Sequence, residues 1–196
     1  MAGVLSTPER AFRKAMKELS LHIMDLAENG IAAKAELITV IVDEAVSRNV
    51  ISITIEDNGS GVTPEMLARM IDPFVTTRTT RRIGMGLSLL KAASERCDGC
   101  FDVVSEPGRG TTVTATFRYD HIDRAPLGNM ATSIMSLLAG YPEIDIDYTH
   151  MYDDNRFEFD TRGIREELGE VPLNEPAVLQ HLKNAIKEEL ETIRHS

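Results

Sequence analysis

No stretch of 18 apolar residues occurs in the chain, so a hydrophobic transmembrane helix is excluded. Cysteine is scarce, with only Cys97 and Cys100. Two cysteines cannot staple 196 residues, and nothing here calls for an oxidising compartment. The N-terminal segment carries Glu9, Arg10, Arg13 and Lys14 and lacks an apolar core. No secretory signal is therefore expected, and the expected location is cytoplasmic. The chain has no Gly-Lys-Ser/Thr phosphate loop, and Gly84-Met85-Gly86 lacks the third glycine of the dinucleotide fingerprint. P-loop and Rossmann readings both fail. Internal repeats and low-complexity tracts are missing as well.

An excess of positive charge is also missing. Residues 1–119 hold 14 basic and 15 acidic residues, whereas 120–196 hold 7 and 16. An acidic second half argues against nonspecific binding to nucleic acid or to an anionic membrane, because both reward neutralising a polyanion. The charge step also places a boundary near residue 120. The expected organisation is a domain over 1–119 and an acidic extension over 120–196, packed on the same sheet.

With 42% hydrophobic and 27% charged residues, an ordinary globular core is expected. Thr7 and Pro8 read as an N-cap and a first helical residue, opening a helical pattern that runs to Ala33 with a break near Ser20. Residues 36–43 form a nearly continuous β-branched run, which predicts a strand covered on both faces. Residues 50–56 alternate, with Ile51, Ile53 and Ile55 on one side. A short helix is predicted over 63–71, a second after Gly86 to Arg96, and strands over 101–105 and 111–118. Beyond them, a helix fits 127–139, a hairpin fits 143–149 with 156–160, and a helix fits 175–194.

Three glycine-rich elements fall at strand or helix ends, at 57–61, 84–86 and 108–112. Glycine lets backbone approach a ligand closely, and a helix opening after Gly86 offers N–H groups to phosphate. Arg78, Arg81 and Arg82 lie just upstream and could neutralise a triphosphate. Asp25 and Asn29 are four apart in a helical stretch and share a face. A carboxylate there can orient water, and an amide oxygen can bind Mg²⁺ beside phosphates.

The order DLAENGIAA (25–33), EDNGSGV (56–62), DPFVTTR with GMGLSLLKAA (72–93) and SEPGRGTTVTATF (105–117) resembles the four ATP-binding boxes of the GHKL ATPases. The resemblance covers residues 18–118. It implies an α+β fold of the Bergerat type, an α/β sandwich with helices on one face of a mixed sheet, here extended by a C-terminal hairpin and helix. It implies ATP and Mg²⁺ as ligands, with Asp57 accepting from the adenine amino group and Gly59 and Gly61 letting the chain pass the base. Asn29 would coordinate the metal. Residues 74–82, with Phe74, Thr76, Thr77 and Arg78, would form a lid over the triphosphate. Gly84, Met85, Gly86 and Leu87 would contact phosphate, and Thr112 would reach adenine. Asp25, the catalytic candidate, stands where hydrolysing members carry Glu, one methylene longer, which shortens its reach to a water without touching binding. Glu28 lies about 300° around the helix from Asp25 and is expected to face solvent. His22 reads as a packed histidine rather than a phosphoacceptor.

The resemblance further implies a stand-alone protein kinase of the anti-sigma-factor type or a slow ATPase, with a non-hydrolysing ATP-dependent switch as the alternative. Residues 121–130 also resemble a branch encoded beside iron-only hydrogenase subunits, which implies a regulatory or assembly role on a partner protein. Cys97 and Cys100 read as a structural turn. The acidic residues Glu143, Asp145, Asp147, Asp153, Asp154, Glu158 and Asp160 read as a solvated, charge-protected hairpin.

Overall fold

A computed structural model describes residues 18–71 and 85–195. Helix α1 (Leu19–Ala32) leads into β1 (Leu37–Ala45), a short 3-10 turn (Val46–Arg48) and β2 (Val50–Asp57). Helices α2 (Pro64–Ile71) and α3 (Met85–Arg96) follow, then β3 (Phe101–Glu106) and β4 (Gly110–Arg118). The remainder is α4 (Met130–Gly140), β5 (Asp145–Tyr152), β6 (Asn155–Asp160), α5 (Thr161–Leu168) and α6 (Pro176–His195).

The six strands form one mixed sheet in the order β3-β4-β2-β1-β5-β6. Among the described residues only the β1–β5 pairing is parallel, running from Leu37 opposite Asp145 to Glu44 opposite Tyr152. The helices pack on one face of this sheet, as the α+β reading expects. Helix α1 reaches the sheet through Leu19, Ile23, Leu26, Ala27 and Gly30, a helical stripe that is buried throughout. Strand β2 contributes Ile51, Ile53 and Ile55, all essentially inaccessible. The helical pattern over 8–17 and the Thr7-Pro8 cap lie outside the described residues.

Strand β1 departs from expectation. Ile38, Val40 and Val42 are buried, but Leu37, Thr39 and Ile41 on the other side are only partly covered. The strand is covered on one face, not two. A β-branched run satisfies strand propensity whether or not a second layer covers it, so composition alone misreads its burial.

The acidic hairpin is also more structured than a solvated edge. Arg162 reaches Asp160 at 2.8 Å and Asp147 at 3.1 Å, and Arg165 reaches Asp145 at 2.9 Å. Those arginines belong to α5, which the sequence pattern did not reveal. It has few apolar positions: besides these ion pairs it is held by the buried Thr161, whose Oγ1 accepts from Ile146 N–H at 2.8 Å, and by Ile164 against the core. The Asp160 side chain caps it by accepting from the Arg162 N–H at 2.9 Å.

Between β1, β5 and α6 lies a buried polar network. The Glu44 carboxylate, 4% exposed, sits 2.8 Å from Nε2 of the fully buried His150. A carboxylate only accepts, so Nε2 donates, and Nδ1 shares a hydrogen bond with the Tyr148 hydroxyl. Tyr119 donates to Glu44 Oε2 at 3.2 Å, and the Arg194 guanidinium closes on Oε1. Burial alone pushes the Glu44 carboxyl up, but hydrogen bonds from His150 and Arg194 outweigh it and hold it below the ordinary glutamate range.

Candidate nucleotide-binding site

Helix α1 meets the sheet without a side chain between them at Gly30. A Cβ there would lie 2.7 Å from Asp57 Cβ and 2.8 Å from Ile38 Cδ1. The close approach brings Asn29 to the rim of a cavity of about 250 Å³ that Asp57 also lines. Ile55 and Val113 form its sheet wall, Leu26 its α1 wall and Leu87 its α3 wall. Met66, Leu67 and Met70 of α2 form the opposite side. An apolar slot with a few convergent polar groups is the usual form of a small-ligand site.

The polar end is built by the turn after β2. Asn58 Oδ1 accepts from the N–H groups of Glu36 and Leu37 at 2.8 and 3.0 Å. Ser105 Oγ accepts from Val62 N–H at 2.9 Å and donates to Gly110 O at 3.0 Å. Between these anchors Gly61 adopts φ +57, and a Cβ there would lie 2.0 Å from Glu106 O. Only glycine fits. The Asp57 carboxylate accepts from Gly59 N–H at 2.9 Å. Burial raises the Asp57 carboxyl above the ordinary aspartate range, while N–H groups of Gly59 and Thr111 draw it back.

Asp25 and Asn29 lie one turn apart on α1, with Asp25 exposed and Asn29 half-buried. Gly86, in the first turn of α3, packs against both. A Cβ on it would be 3.6 Å from Asp25 Cβ and from Asn29 Nδ2. The first turn of a helix presents N–H groups of the kind that suit an anion. Among the described residues no three His, Cys, Asp or Glu side chains come together as a metal site. A magnesium ion that arrives with phosphates needs little more than one protein oxygen, and the Asn29 amide fits that demand.

The structure thus gathers Asn29, Asp57, Gly61 and Leu87 at one cavity, with Gly59 holding Asp57 and Gly86 touching Asp25 and Asn29. Thr112 is not among them. Thr111 stands opposite Asp57 and lines the cavity, so strand alternation turns Thr112, opposite Glu56, to the other face. Phe74, Thr76, Thr77, Arg78, Arg81, Arg82 and Gly84 lie outside the described residues, as does the Met85 side chain. Glu28 is exposed, as expected. His22 is 4% exposed. Burial lowers its imidazole, with the charge of Asp25 pulling the other way. Cys97 is buried and Cys100 exposed, and both are free. The α2 wall and Thr111 were missed from the sequence. The spacing of Met66, Leu67 and Met70 was the available signal for the former, and the alternation of β4 for the latter.

The family of histidine kinase-, DNA gyrase B- and HSP90-like ATPases matches residues 8–121, more than half of the chain. The chain belongs to this family. It therefore carries a GHKL ATP-binding domain, and the Bergerat fold is the one described above. The non-motile and phage-resistance protein of Caulobacter vibrioides is 32% identical over 120 residues, covering 57% of this chain and 14% of that protein. The signal transduction histidine-protein kinase AtoS of Escherichia coli is 32% identical over 108 residues, covering 55% of this chain and 17% of that protein. A solved N-terminal domain of a DNA repair protein shares the fold at a TM-score of 0.52 and 16% identity, over 73% of this chain and 51% of that one. The chain spans well under a quarter of either curated relative. Among the described residues no helix is long and apolar enough to cross a membrane.

Proposed function

We propose that this chain binds Mg-ATP in the cavity between α1, α2, α3 and the sheet, and uses it on a partner protein as a protein kinase or a slow ATPase. The observation that carries the reading is the apolar slot that ends on a half-buried, N–H-supported Asp57 carboxylate. The base enters the slot and its amino group donates to Asp57. The phosphates then point past Asn29 toward the first turn of α3. Asn29 holds the Mg²⁺ ion, which neutralises phosphate charge. Asp25, exposed beside Gly86, orients the attacking water or hydroxyl. The resemblance supports, as that partner, a regulator of the sigma-factor type or a hydrogenase-related protein.

One observation favours a second reading, an ATP-dependent switch with little turnover. Asp25 is a methylene shorter than the glutamate of hydrolysing members, which leaves binding intact but holds the base back. The test is phosphate release and nucleotide binding by the wild type, Asp25→Asn and Asp57→Ala. Losing a hydrogen bond to a charged group costs about 1.5–3 kcal/mol, so Asp57→Ala is expected to bind at least about tenfold more weakly. Asp25→Asn is expected to keep its affinity and lose any turnover. Normal ATP binding by Asp57→Ala would show that the site is assigned wrongly. Binding without turnover in the wild type would select the switch.

A further inference from the structure

We propose that residues 124–129, together with α4, position the helix that carries Asp25 and Asn29, so that a segment beyond the family match sets nucleotide affinity. The inference rests on reading the cavity as a nucleotide site. A helix opens with N–H groups that its own N-cap side chain normally satisfies. The N-cap of α1, Glu18, makes no such bond. Instead Leu19 N–H donates to Pro126 O at 2.9 Å and Ser20 N–H donates to Leu127 O at 2.7 Å. Leu19 and Ser20 are each 1% exposed, so water does not replace these carbonyls.

The fit around this borrowed cap is tight. Gly128 adopts φ +86, and a Cβ there would lie 2.4 Å from Ser20 Oγ and 2.5 Å from Glu18 Oε2. Helix α4, which follows directly, packs against α1. The connector is itself fixed. Arg124 Nε donates to Tyr119 O at 2.6 Å, and its guanidinium lies 4.7 Å from the Tyr119 ring centre. The Tyr119 hydroxyl in turn donates to Glu44, the carboxylate that also holds His150 and Arg194. Polar contacts thus run from the last turn of α6 to the first turn of α1. Asp25 and Asn29 sit six and ten residues beyond Leu19, about 9 and 15 Å along the same helix. A shift of the cap moves both relative to Gly86. By reciprocity, a nucleotide that fixes Asn29 also tightens the cap.

The experiment titrates Mg-ADP into the full chain, Gly128→Ala and Gly163→Ala, at a temperature where circular dichroism shows all three folded. Gly163 is the control, since a Cβ there meets nothing within 4 Å. Gly128→Ala is expected to bind about fivefold more weakly or worse, and Gly163→Ala to match the wild type. In the wild type, Mg-ADP is expected to slow hydrogen exchange at the Leu19 and Ser20 amides. Equal affinity in Gly128→Ala overturns the proposal. If that variant does not fold, unchanged exchange at Leu19 and Ser20 overturns it instead. A wild type that does not bind Mg-ADP overturns the nucleotide reading beneath it.

Discussion

Replacing Arg194 with Met tests the buried network under α6. The substitution keeps an unbranched stem against Tyr152 and removes the charge that closes on Glu44. Removing one partner of a wholly buried ion pair costs about 3–5 kcal/mol. Two features reduce that here. The Arg194 side chain is 42% exposed, so water can enter where the guanidinium was. Glu44 also keeps two donors, His150 Nε2 and the Tyr119 hydroxyl. The expected loss is therefore that of one charged hydrogen bond, about 1.5–3 kcal/mol. For a chain of this size each kcal/mol shifts Tm by about 2–4 °C, so calorimetry at neutral pH should show a fall of about 3–12 °C. The pH dependence identifies the cause. The folded protein holds the Glu44 carboxyl below its ordinary value. Its contribution is present above the unfolded value and lost as pH falls through the folded one. The gap between wild type and Arg194→Met should therefore close as pH falls below the ordinary glutamate pKa of about 4.3. A gap of constant size from neutral to acid pH would show that packing, not charge, holds α6. No gap at neutral pH would refute the network as a source of stability.

Three further outcomes follow from the site. Ser105→Ala leaves Val62 N–H without its acceptor and Gly110 O without its donor, and should lower stability in urea melts by about 1–3 kcal/mol. Thr111→Ala should weaken nucleotide binding about three- to tenfold while Thr112→Ala leaves it unchanged, because only Thr111 lines the cavity; titration of both variants checks the facing. Burial raises the Asp57 carboxyl, so its protonated form gains weight from above the ordinary aspartate range as pH falls. The sign is opposite to that of Glu44: Asp57 adds stability below its unfolded value and loses it as pH rises through the folded one. Adenosine affinity should fall with acidification over that same range, and Asp57→Asn should remove the step.

The positions of the strands up to β4 and the presence of the hairpin were legible because alternation and glycine-rich turns mark them locally. Ile51, Ile53 and Ile55 could face only one way, and Asp57 at the end of that strand then had to lie on the helix side. The parity of Thr111 and Thr112 was equally available from the turn at Gly110, whereas the family resemblance implied Thr112. Helix α5 was not legible, because it is tied down by arginine contacts to three aspartates on neighbouring strands and by Thr161 and Ile164, not by a long apolar stripe. The borrowed cap on α1 was invisible for a related reason. A backbone carbonyl accepts in the same way whatever its side chain, so Pro126 and Leu127 left no compositional trace of that role.

The parallel pairing of β5 with β1 bears on how this chain can be shortened. The family match ends at residue 121, yet strand β1 inside it relies on β5 for one whole side of its backbone. A fragment ending near 120 would open the amide row of Leu37–Ala45 to other molecules. Its LITVIV segment is β-branched and uncharged, without proline or glycine to interrupt further pairing. Such a fragment is expected to self-associate through that row, strand on strand. The acidic half of the molecule thus covers the open side of the strand that its nucleotide-binding half would otherwise present.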